Sequence, residues 1–365
     1  MKKEHILVIR FSAMGDVAMM VPVVWSLAHQ YPHVRITVLS RAFARPLFEG
    51  LAPNVGFMEA DLKKEYRGIK GLNALYRRLA AKQFTAVADL HNVLRSNFLR
   101  MRFNISHYRV AHINKHRKGR RLITSATHKQ LTQQPTSFQN YTDVFERLGY
   151  PVEIQFHSIF GDNKGDLLQL PESLLSSTSL ATPHAQREHS QLIGIAPFAA
   201  HQGKVYPPQL MQQVIEQLLA KYPLARIFLF GRGQQEDQYF EKWCQQHEQC
   251  VNVSQHVESL YQELILMSHL DVMVSMDSSN MHLASLTGTP VVSVWGATHP
   301  YAGFLGWGQK EENIVQTDLD CRPCSIFGQK PCRRGDYACM NQIKPETIVE
   351  RINNVLLTKN KTLSV

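Results

Sequence analysis

Four short segments that combine small residues with polar side chains each follow directly after an apolar run. They are FSAMGD ending at Asp16, FAAHQGK ending at Lys204, MDSSNMH ending at His282, and GATHP beginning at Gly296. Short apolar runs rich in β-branched residues predict buried strands, and open α/β sheets bind ligands beyond the carboxyl ends of their strands. The four segments therefore hold the candidate residues for binding and catalysis.

The carboxylate of Asp16 has two interpretations. It stands at the start of a predicted helix, where it could cap the free backbone N–H groups of the first turn. It could also act as a general base that accepts a proton from a substrate hydroxyl. Gly15 before it suits a tight turn. The spacing alone favours the cap and leaves the base open.

The MDSSNMH segment predicts a phosphate site, because free N–H groups and the positive end of the helix dipole attract anions at a helix start. Asp277 would repel a phosphate unless it faces a sugar hydroxyl or the N–H groups of its own helix. The plainer alternative is an Asp277 cap and a buried His282 with its hydrogen bonds satisfied. Lys204 could add a point charge to a phosphate, or it could be a solvated loop lysine.

One stretch of the chain is strongly basic. Between Leu90 and Thr142 there are ten Lys or Arg and no Asp or Glu, which accounts for the whole net charge of +10. Localised charge of one sign predicts a polyanionic partner, although part of it could be a solvated loop. A nucleic acid bound by the basic stretch 95–129 is one alternative, but no recognised nucleic-acid module is present.

Length and periodicity predict two α/β domains. The chain has 365 residues of which 44% are hydrophobic, enough for two cores. Apolar runs alternate with helical patterns at 17–29, 71–82, 208–221 and 260–269, which indicates parallel sheets. The runs are HILVIR, RITVLS, TAVADL, QLIGIA, ARIFLF, LDVMVS and PVVSVW.

The same reading predicts where the domains end. We expect a Rossmann-like domain at 1–165, a Ser/Pro/Thr-rich linker at 166–190, a second Rossmann-like domain at 191–344, and a C-terminal helix at 345–365 that could pack back on the first domain. No apolar run approaches 18 residues, so no membrane span is expected. The N-terminal run predicts a strand rather than a signal peptide, and the cytoplasm is the expected compartment.

Four of the six cysteines are crowded together in the pattern C-x2-C-x7-C-x6-C. This pattern resembles a structural zinc knot with irregular later spacings. Free buried thiols and a single disulfide are the alternatives, and no metal is assigned to the site. The residues are Cys321, Cys324, Cys332 and Cys339.

Taken together, the segments resemble glycosyltransferase family 9, the ADP-heptose:lipopolysaccharide heptosyltransferases. The shared elements are S-x-MGD after the first strand, K-x-x-P early in the second half, D-[ST]-x-x-x-H, and a G-x-T-x-P loop. The resemblance implies a GT-B fold, in which two Rossmann-like domains have parallel sheets that face an interdomain cleft. It also implies metal-independent, inverting sugar transfer that needs no cofactor.

The resemblance also implies roles for individual residues. Asp16 matches the catalytic base of the family. The donor-binding positions are Lys204, Asp277, Ser278, Ser279, Asn280, His282, Gly296 and Thr298. The acceptor-binding positions are Ser12, Met14, Gly15, Lys115, Arg117, Arg120 and Arg121, which we place in the first domain.

The partners implied are a nucleotide-sugar donor and a phosphorylated or acidic glycolipid acceptor, with no nucleic acid. We expect a monomer at the inner face of the cytoplasmic membrane, where the basic stretch contacts anionic lipid. Ala199, Ala200, Gly233 and His299 depart from the family pattern near the donor. A different sugar or acceptor on the same fold therefore stays open.

Overall fold

The computed structural model describes residues 4–176, 178, 180 and 190–363. The chain forms two compact units. The first unit comprises Met1–His116 and Pro135–Ile159, and the second unit comprises Arg117–Gln134 and Phe160–Val365. Each unit is built around one parallel sheet.

The sheet of the first unit has the order β3-β2-β1-β4-β5 with parallel neighbours. Because β2 and β3 lie on one side of β1 and β4 and β5 on the other, the strand order reverses between β1 and β4. Ligands bind at such a switch point in open α/β sheets. The strands are β1 (His5–Ile9), β2 (Arg35–Ser40), β3 (Val55–Glu59), β4 (Ala86–Asp89) and β5 (Arg109–His112).

Helices connect these strands and cover the sheet. The central strands are buried, as expected of parallel strands covered on both faces. On one face, Leu72, Leu75 and Leu79 pack with Leu7 and Ile9 in a common core. The helices of the first unit are α1 (Met14–Ala18), α2 (Val21–Gln30), α3 (Arg45–Phe48), α4 (Gly68–Ala80), α5 (Leu94–Ile105) and α7 (Ser137–Arg147); α6 (Arg117–Ile123) belongs to the second unit.

The sheet of the second unit has the order β11-β10-β9-β6-β7-β8, again with parallel neighbours. Its switch point lies between β6 and β9, so the loops after these two strands are the places for a ligand. The strands are β6 (Leu192–Ala196), β7 (Arg226–Leu229), β8 (Cys250–Asn252), β9 (Val272–Met276), β10 (Val291–Trp295) and β11 (Ile314–Gln316).

The helices of the second unit complete its core. They are α6, α8 (Glu172–Ser176), α9 (Pro208–Lys221), α10 (Gln234–Gln246), α11 (Leu260–His269), α12 (Ser279–Leu286), α13 (Ala338–Asn341) and α14 (Pro345–Leu363). Among the residues described, no helix combines the length and apolar composition needed to cross a bilayer.

The α/β class with two parallel sheets is confirmed, and the seven predicted strand runs form β1, β2, β4, β6, β7, β9 and β10. The helical stretch predicted at 17–29 is instead two helices. Pro22 lies in the first turn of α2, where its missing N–H leaves no hydrogen bond unmade. The edge strands β3, β5, β8 and β11 went unpredicted, because they are short and carry polar residues.

The C-terminal helix does not follow the expectation that it packs back on the first domain. Ile348, Ile352 and Val355 are buried in the core of the second unit. Near its end, the Nζ of Lys359 lies 2.8 Å from the Oδ1 of Asp271, just before β9. α14 therefore belongs to the second unit.

The predicted linker 166–190 lies partly outside the described residues, which omit 177, 179 and 181–189. The residue directly before it, Gly165, is docked on helix α11 rather than extended. The backbone N–H of Gly165 donates to the Ser268 hydroxyl at 2.9 Å, and a side chain on Gly165 would meet the Ile265 backbone at 2.8 Å. The second unit therefore begins at Phe160, before the predicted boundary.

Candidate functional site

The loop after β1 places Asp16 at the switch point of the first unit. The N-cap of α1 is Ala13, and Asp16 is the third residue of the helix. Its Oδ2 accepts a hydrogen bond from the backbone N–H of Ala13 at 3.3 Å. Asp16 thus contributes to the helix start without being the cap residue. Its side chain remains 26% exposed.

Arg10 forms a buried ion pair with the Asp16 carboxylate. The Nη2 of Arg10 lies 2.9 Å from the Oδ2 of Asp16, and the arginine side chain is only 7% exposed. Its Nη1 donates to the carbonyl of Leu90, and its guanidinium lies 5.7 Å from the ring centre of Tyr141. Burial acts to lower the pKa of Arg10, but Asp16 and Tyr141 outweigh it and raise that pKa above its ordinary value.

Tyr141 and His91 complete the surroundings of this pair. The Tyr141 hydroxyl donates to the backbone carbonyl of Asp16 at 3.1 Å. His91 follows β4, and its Nδ1 accepts from the Phe11 N–H at 3.4 Å. Burial, reinforced by Arg10 and Lys115, lowers the pKa of His91 to about 3. His91 is therefore neutral at physiological pH and adds no positive charge beside the Arg10–Asp16 pair.

The second unit carries a matching ion pair at its own switch point. The Nζ of Lys204, in the loop after β6, lies 2.9 Å from the Oδ2 of Asp277, directly after β9. Here the carboxylate is 5% exposed and the lysine 15%. The structure thus brings together two residues that the sequence placed in separate segments.

The start of α12 adjoins Asp277. Ser278 is the N-cap, with an extended backbone and no side-chain cap bond, so the alternative in which Asp277 caps the helix is wrong. Ser279 and Asn280 form the half-buried first turn, and His282 is buried one turn in. This helix start has small polar side chains and free N–H groups, as an anion site requires.

The GATHP loop lies against the Lys204 loop through two glycines. The Ala297 N–H donates to the Gly203 carbonyl at 2.8 Å, and a Cβ on Gly296 would stand 2.5 Å from that same oxygen. Only glycine permits this approach. Thr298 is fully buried, and its hydroxyl meets no hydrogen-bond partner within the described residues. Through these contacts with Gly203, the GATHP loop fixes the position of the loop that carries Lys204.

The predicted acceptor residues are divided between the two units. Ser12, Met14, Gly15 and Lys115 belong to the first unit, while Arg117, Arg120 and Arg121 belong to the second. The placement of the whole basic cluster in the first domain is therefore wrong.

Contacts within the second unit explain this assignment. The guanidinium of Arg120 lies 4.8 Å from the ring centre of Phe304, and the Gln134 N–H donates to the Tyr301 carbonyl at 2.9 Å. Lys129 donates to the Arg322 carbonyl at 2.8 Å. These long-range contacts carry no local sequence signal, so the sequence could not indicate them. Arg117 and Arg121 remain exposed.

Three residues of the sites were missed in the sequence. Arg10 and His91 surround Asp16, and Arg322 donates to the carbonyls of Trp295 and Thr298 at 3.1 and 3.0 Å. The one available signal was position: Arg10 and His91 each directly follow a buried strand run. A charged residue there would have been a candidate for a buried, paired role.

The fold and the two ion pairs define an α/β protein of two units, each with one parallel sheet and with an ion pair at the switch point of that sheet. The family model described as "Glycosyltransferase family 9 (heptosyltransferase)" matches residues 72–335 of this chain. The chain belongs to this family.

Relatives and solved structures agree with that assignment. A lipooligosaccharide heptosyltransferase 2 of Campylobacter jejuni subsp. jejuni serotype O:2 is 28% identical over 136 residues, which are 36% of this chain and 40% of that relative. The chain therefore matches less than half the length of that relative. A glycosyl transferase family 9 crystal structure from Veillonella parvula DSM 2008 has a TM-score of 0.70 at 17% identity, covering 98% of both chains.

Two Escherichia coli structures are also similar in fold. ADP-heptose lps heptosyltransferase II has a TM-score of 0.62 at 19% identity, over 98% of this chain and 99% of that one. Heptosyltransferase WaaC with ADP has a TM-score of 0.64 at 15% identity, over 96% and 99%. At these identities the likeness establishes the fold.

Proposed function

We propose that this protein is an inverting, metal-independent glycosyltransferase that moves heptose from ADP-heptose to a lipopolysaccharide core or related glycolipid. Family membership supports sugar transfer, and the similar WaaC structures are described with ADP and with ADP-2-deoxy-2-fluoro heptose. The observation that carries the proposal is that the two ion pairs bury opposite partners. In the first unit the arginine is the more buried partner and the carboxylate is the more accessible one; in the second unit the carboxylate is the more buried partner and the lysine is the more accessible one.

Asp16 is the proposed base. It accepts the proton of the acceptor hydroxyl as that oxygen attacks the anomeric carbon, and the bond to the donor phosphate breaks on the opposite face. A single displacement of this kind inverts the anomeric centre, with oxocarbenium character in the transition state by analogy with glycoside hydrolysis. Arg10 pairs with the carboxylate and fixes its orientation.

Lys204 and the start of α12 are the proposed diphosphate site. Negative charge grows on the leaving diphosphate, and a fixed cation with helix N–H groups stabilises it. In the structure, Lys204 pairs with Asp277. We propose that the diphosphate replaces Asp277 as the partner of Lys204, which frees Asp277 to accept a hydrogen bond from a sugar hydroxyl. Ser278, Ser279, Asn280, His282, Gly296 and Thr298 complete the proposed donor site.

The acceptor is proposed to be phosphorylated or acidic. Ser12, Met14 and Gly15 lie on the Asp16 loop, where an acceptor hydroxyl would have to approach. Lys115, Arg117, Arg120 and Arg121 would attract acidic sugars and phosphates, and the exposed members would contact anionic lipid at the membrane surface. We propose a monomer that acts at the inner face of the cytoplasmic membrane.

A panel of ADP-, UDP-, GDP- and CMP-sugars tests the donor by thermal shift, with transfer to a lipid-linked core acceptor measured on the sugar nucleotide that binds. We expect ADP-heptose to stabilise the parent protein and Asp16→Asn alike, since Asp16 is proposed to act on the acceptor. Stabilisation by another sugar nucleotide would replace the heptose assignment. Absent sugar-nucleotide binding together with salt-sensitive binding of DNA or RNA would overturn the proposal.

A further inference from the structure

Helix α5 of the first unit carries apolar side chains on two opposite faces. On the inner face, Leu99 and Phe103 are fully buried in the core of the unit. A surface helix of a globular protein normally has polar residues on its other face. The outer face of α5 instead carries an apolar row, here called the α5 stripe. It consists of Leu94, Phe98, Met101 and Ile105.

The spacing of the α5 stripe places its members on one side of the helix. They follow one another at intervals of four, three and four residues, which is the repeat of a single helix face. Leu94, Met101 and Ile105 are 86%, 50% and 66% exposed, and Phe98 is half-buried. Contiguous exposed apolar side chains mark surfaces that bind proteins or membranes. The α5 stripe is therefore a candidate interaction surface.

The charged residues of α5 and of its neighbour α4 are all positive. The two helices together contain six Lys or Arg and no Asp or Glu. Arg100 is paired with the buried carboxylate of Asp89 at 3.2 Å, whereas Arg95 is exposed. The surface around the stripe thus attracts anions.

Two arginines line one edge of the α5 stripe. Arg95 follows Leu94 and Arg102 follows Met101, so both lie on the same side of the apolar row. The guanidinium of Arg102 lies 4.8 Å from the ring centre of Tyr76 on α4, which holds it beside the row. Basic side chains at the edge of an apolar helix face reach lipid headgroups while the apolar side chains enter the acyl boundary.

This combination favours an anionic lipid surface over a second copy of the chain. Two copies that met through their α5 stripes would bring two basic helices together, with no carboxylate from α4 or α5 to balance them. Like charges oppose such a self-complementary contact. An anionic phospholipid bilayer complements both parts of the surface, because its acyl chains accept the apolar residues and its phosphates accept the arginines.

We propose that α5 lies in the plane of an anionic phospholipid membrane, with the α5 stripe inserted at the boundary between headgroups and acyl chains. A helix of 12 residues is about 18 Å long and cannot span the hydrocarbon core. The membrane contact proposed above depends on charge at 115–121, whereas this contact also needs the apolar row. The binding of lipid is independent of the transfer reaction.

The α5 stripe begins at the edge of the sheet that carries Asp16. β4 ends at Asp89, and His91 contacts the Asp16 loop through the Phe11 N–H at 3.4 Å. Leu94 begins α5 three residues later. Insertion of the stripe therefore brings this edge of the sheet close to the headgroups, where the sugars of a lipid-linked acceptor lie. This consequence rests on the proposed function.

Co-sedimentation of the full chain with vesicles tests the inference. The vesicles contain phosphatidylethanolamine and phosphatidylglycerol, and phosphatidylcholine vesicles are the neutral reference. We expect a variant with Leu94→Gln, Met101→Gln and Ile105→Gln, here called the stripe variant, to bind at least about tenfold more weakly than the parent. Arg95→Gln with Arg102→Gln should weaken binding several-fold at low salt and less at high salt.

A matched control replaces three exposed leucines of the second unit with Gln and should bind vesicles as the parent does. These are Leu168, Leu224 and Leu357. Parent-like binding by the stripe variant would overturn the inference, as would binding that is lost only when Lys115, Arg117 and Arg121 are replaced together. A dimer of the parent in solution that the stripe variant abolishes would assign the surface to a second copy instead.

Transfer assays separate this inference from the proposed function. The stripe variant should keep the parent kcat on a water-soluble, deacylated core acceptor and lose turnover several-fold on the same acceptor embedded in vesicles. A parent protein that transfers sugar to neither acceptor contradicts the proposed function, and vesicle binding still decides on the α5 stripe. Equal turnover of the two proteins on the embedded acceptor would contradict the link between insertion and the acceptor.

Discussion

The two units place the same pair of charges at the same topological position and bury them in opposite ways. The Arg10–Asp16 and Lys204–Asp277 contacts are both 2.9 Å, but the carboxylate is 26% exposed in the first and 5% exposed in the second. In each pair the more exposed partner is the charge that solvent can reach, and the two pairs differ in which sign this is. The more accessible charge is therefore the anion in the first pair and the cation in the second, although each pair is neutral as a whole.

The residue types match these roles. The buried cation of the first unit is an arginine, whose planar group stays charged and makes several directed bonds. The more accessible cation of the second unit is a lysine with a flexible stem. That stem packs on Gly328, where a Cβ would stand 2.5 Å from the Lys204 Cγ. The proposed exchange of Asp277 for a phosphate would need only a movement of the end of this side chain.

The largest expected effect is on Asp16→Asn. We predict a kcat lower by about 100- to 10,000-fold, the usual range for loss of a general base, with the donor dissociation constant nearly unchanged. The variant leaves Arg10 buried without a charged partner, so we expect a loss of about 1–3 kcal/mol in unfolding free energy. Asp143→Asn, which changes an exposed carboxylate of α7, is the matched control. Near-normal turnover by folded Asp16→Asn would contradict the base assignment.

Lys204→Met is expected to act on donor binding. Loss of one charge-assisted contact to phosphate predicts a donor dissociation constant higher by about 10- to 100-fold. Lys242→Met, on an exposed position of α10, is the control for removing a positive charge from the same unit. Calorimetric titration with ADP-sugar measures both. Equal donor affinity in the two variants would remove the phosphate role from Lys204.

The basic segment divides into residues with separate effects. Replacing Lys115, Arg117 or Arg121 with Gln, one at a time, is expected to raise the acceptor KM by a few-fold, which corresponds to about 1 kcal/mol or less per charge. The increase should be smaller at high salt. Arg120→Gln should instead lower the melting temperature, because its guanidinium packs on Phe304. Steady-state kinetics at several salt concentrations and thermal unfolding separate the two. An acceptor KM that is unchanged at every salt concentration would exclude the acceptor role.

The smallest effect concerns pH and compares one histidine from each unit. Burial lowers the pKa of His91 to about 3 and of His299 to about 4. The unfolded chain binds these protons below about pH 6.5 while the folded chain does not, so stability falls as pH drops from 6.5 toward 4. We predict about 1 kcal/mol lost per histidine between pH 7 and about pH 5.5. Urea unfolding should show a flatter pH dependence in His91→Gln and His299→Gln; an unchanged slope would contradict these environments.

The sequence was sufficient for the features that rest on local pattern. The seven apolar runs became strands, and the order of strands and helices predicted two parallel sheets. Parallel connectivity then placed Asp16, Lys204 and Asp277 at carboxyl edges, because strand ends fix the positions of the following loops.

Features that depend on long-range packing could not be predicted from the sequence. The Lys204–Asp277 pair joins residues 73 positions apart in the chain, and nothing in either segment indicates the other as partner. The docking of 117–134 on the second unit depends on contacts with Phe304, Tyr301 and Arg322. The basic composition of this segment suggested solvent exposure, whereas Arg120 and Lys129 are half-buried.

Calorimetric titration of ADP-heptose into Asp16→Asn and Lys204→Met, side by side, is the most direct measurement of the difference between the two units. The account predicts parent-like affinity in Asp16→Asn, which fails only in transfer, and weakened affinity in Lys204→Met. Donor affinity lost equally in both variants, or lost only in Asp16→Asn, would contradict the assignment of the acceptor side to Asp16 in the first unit and of the donor side to Lys204 in the second.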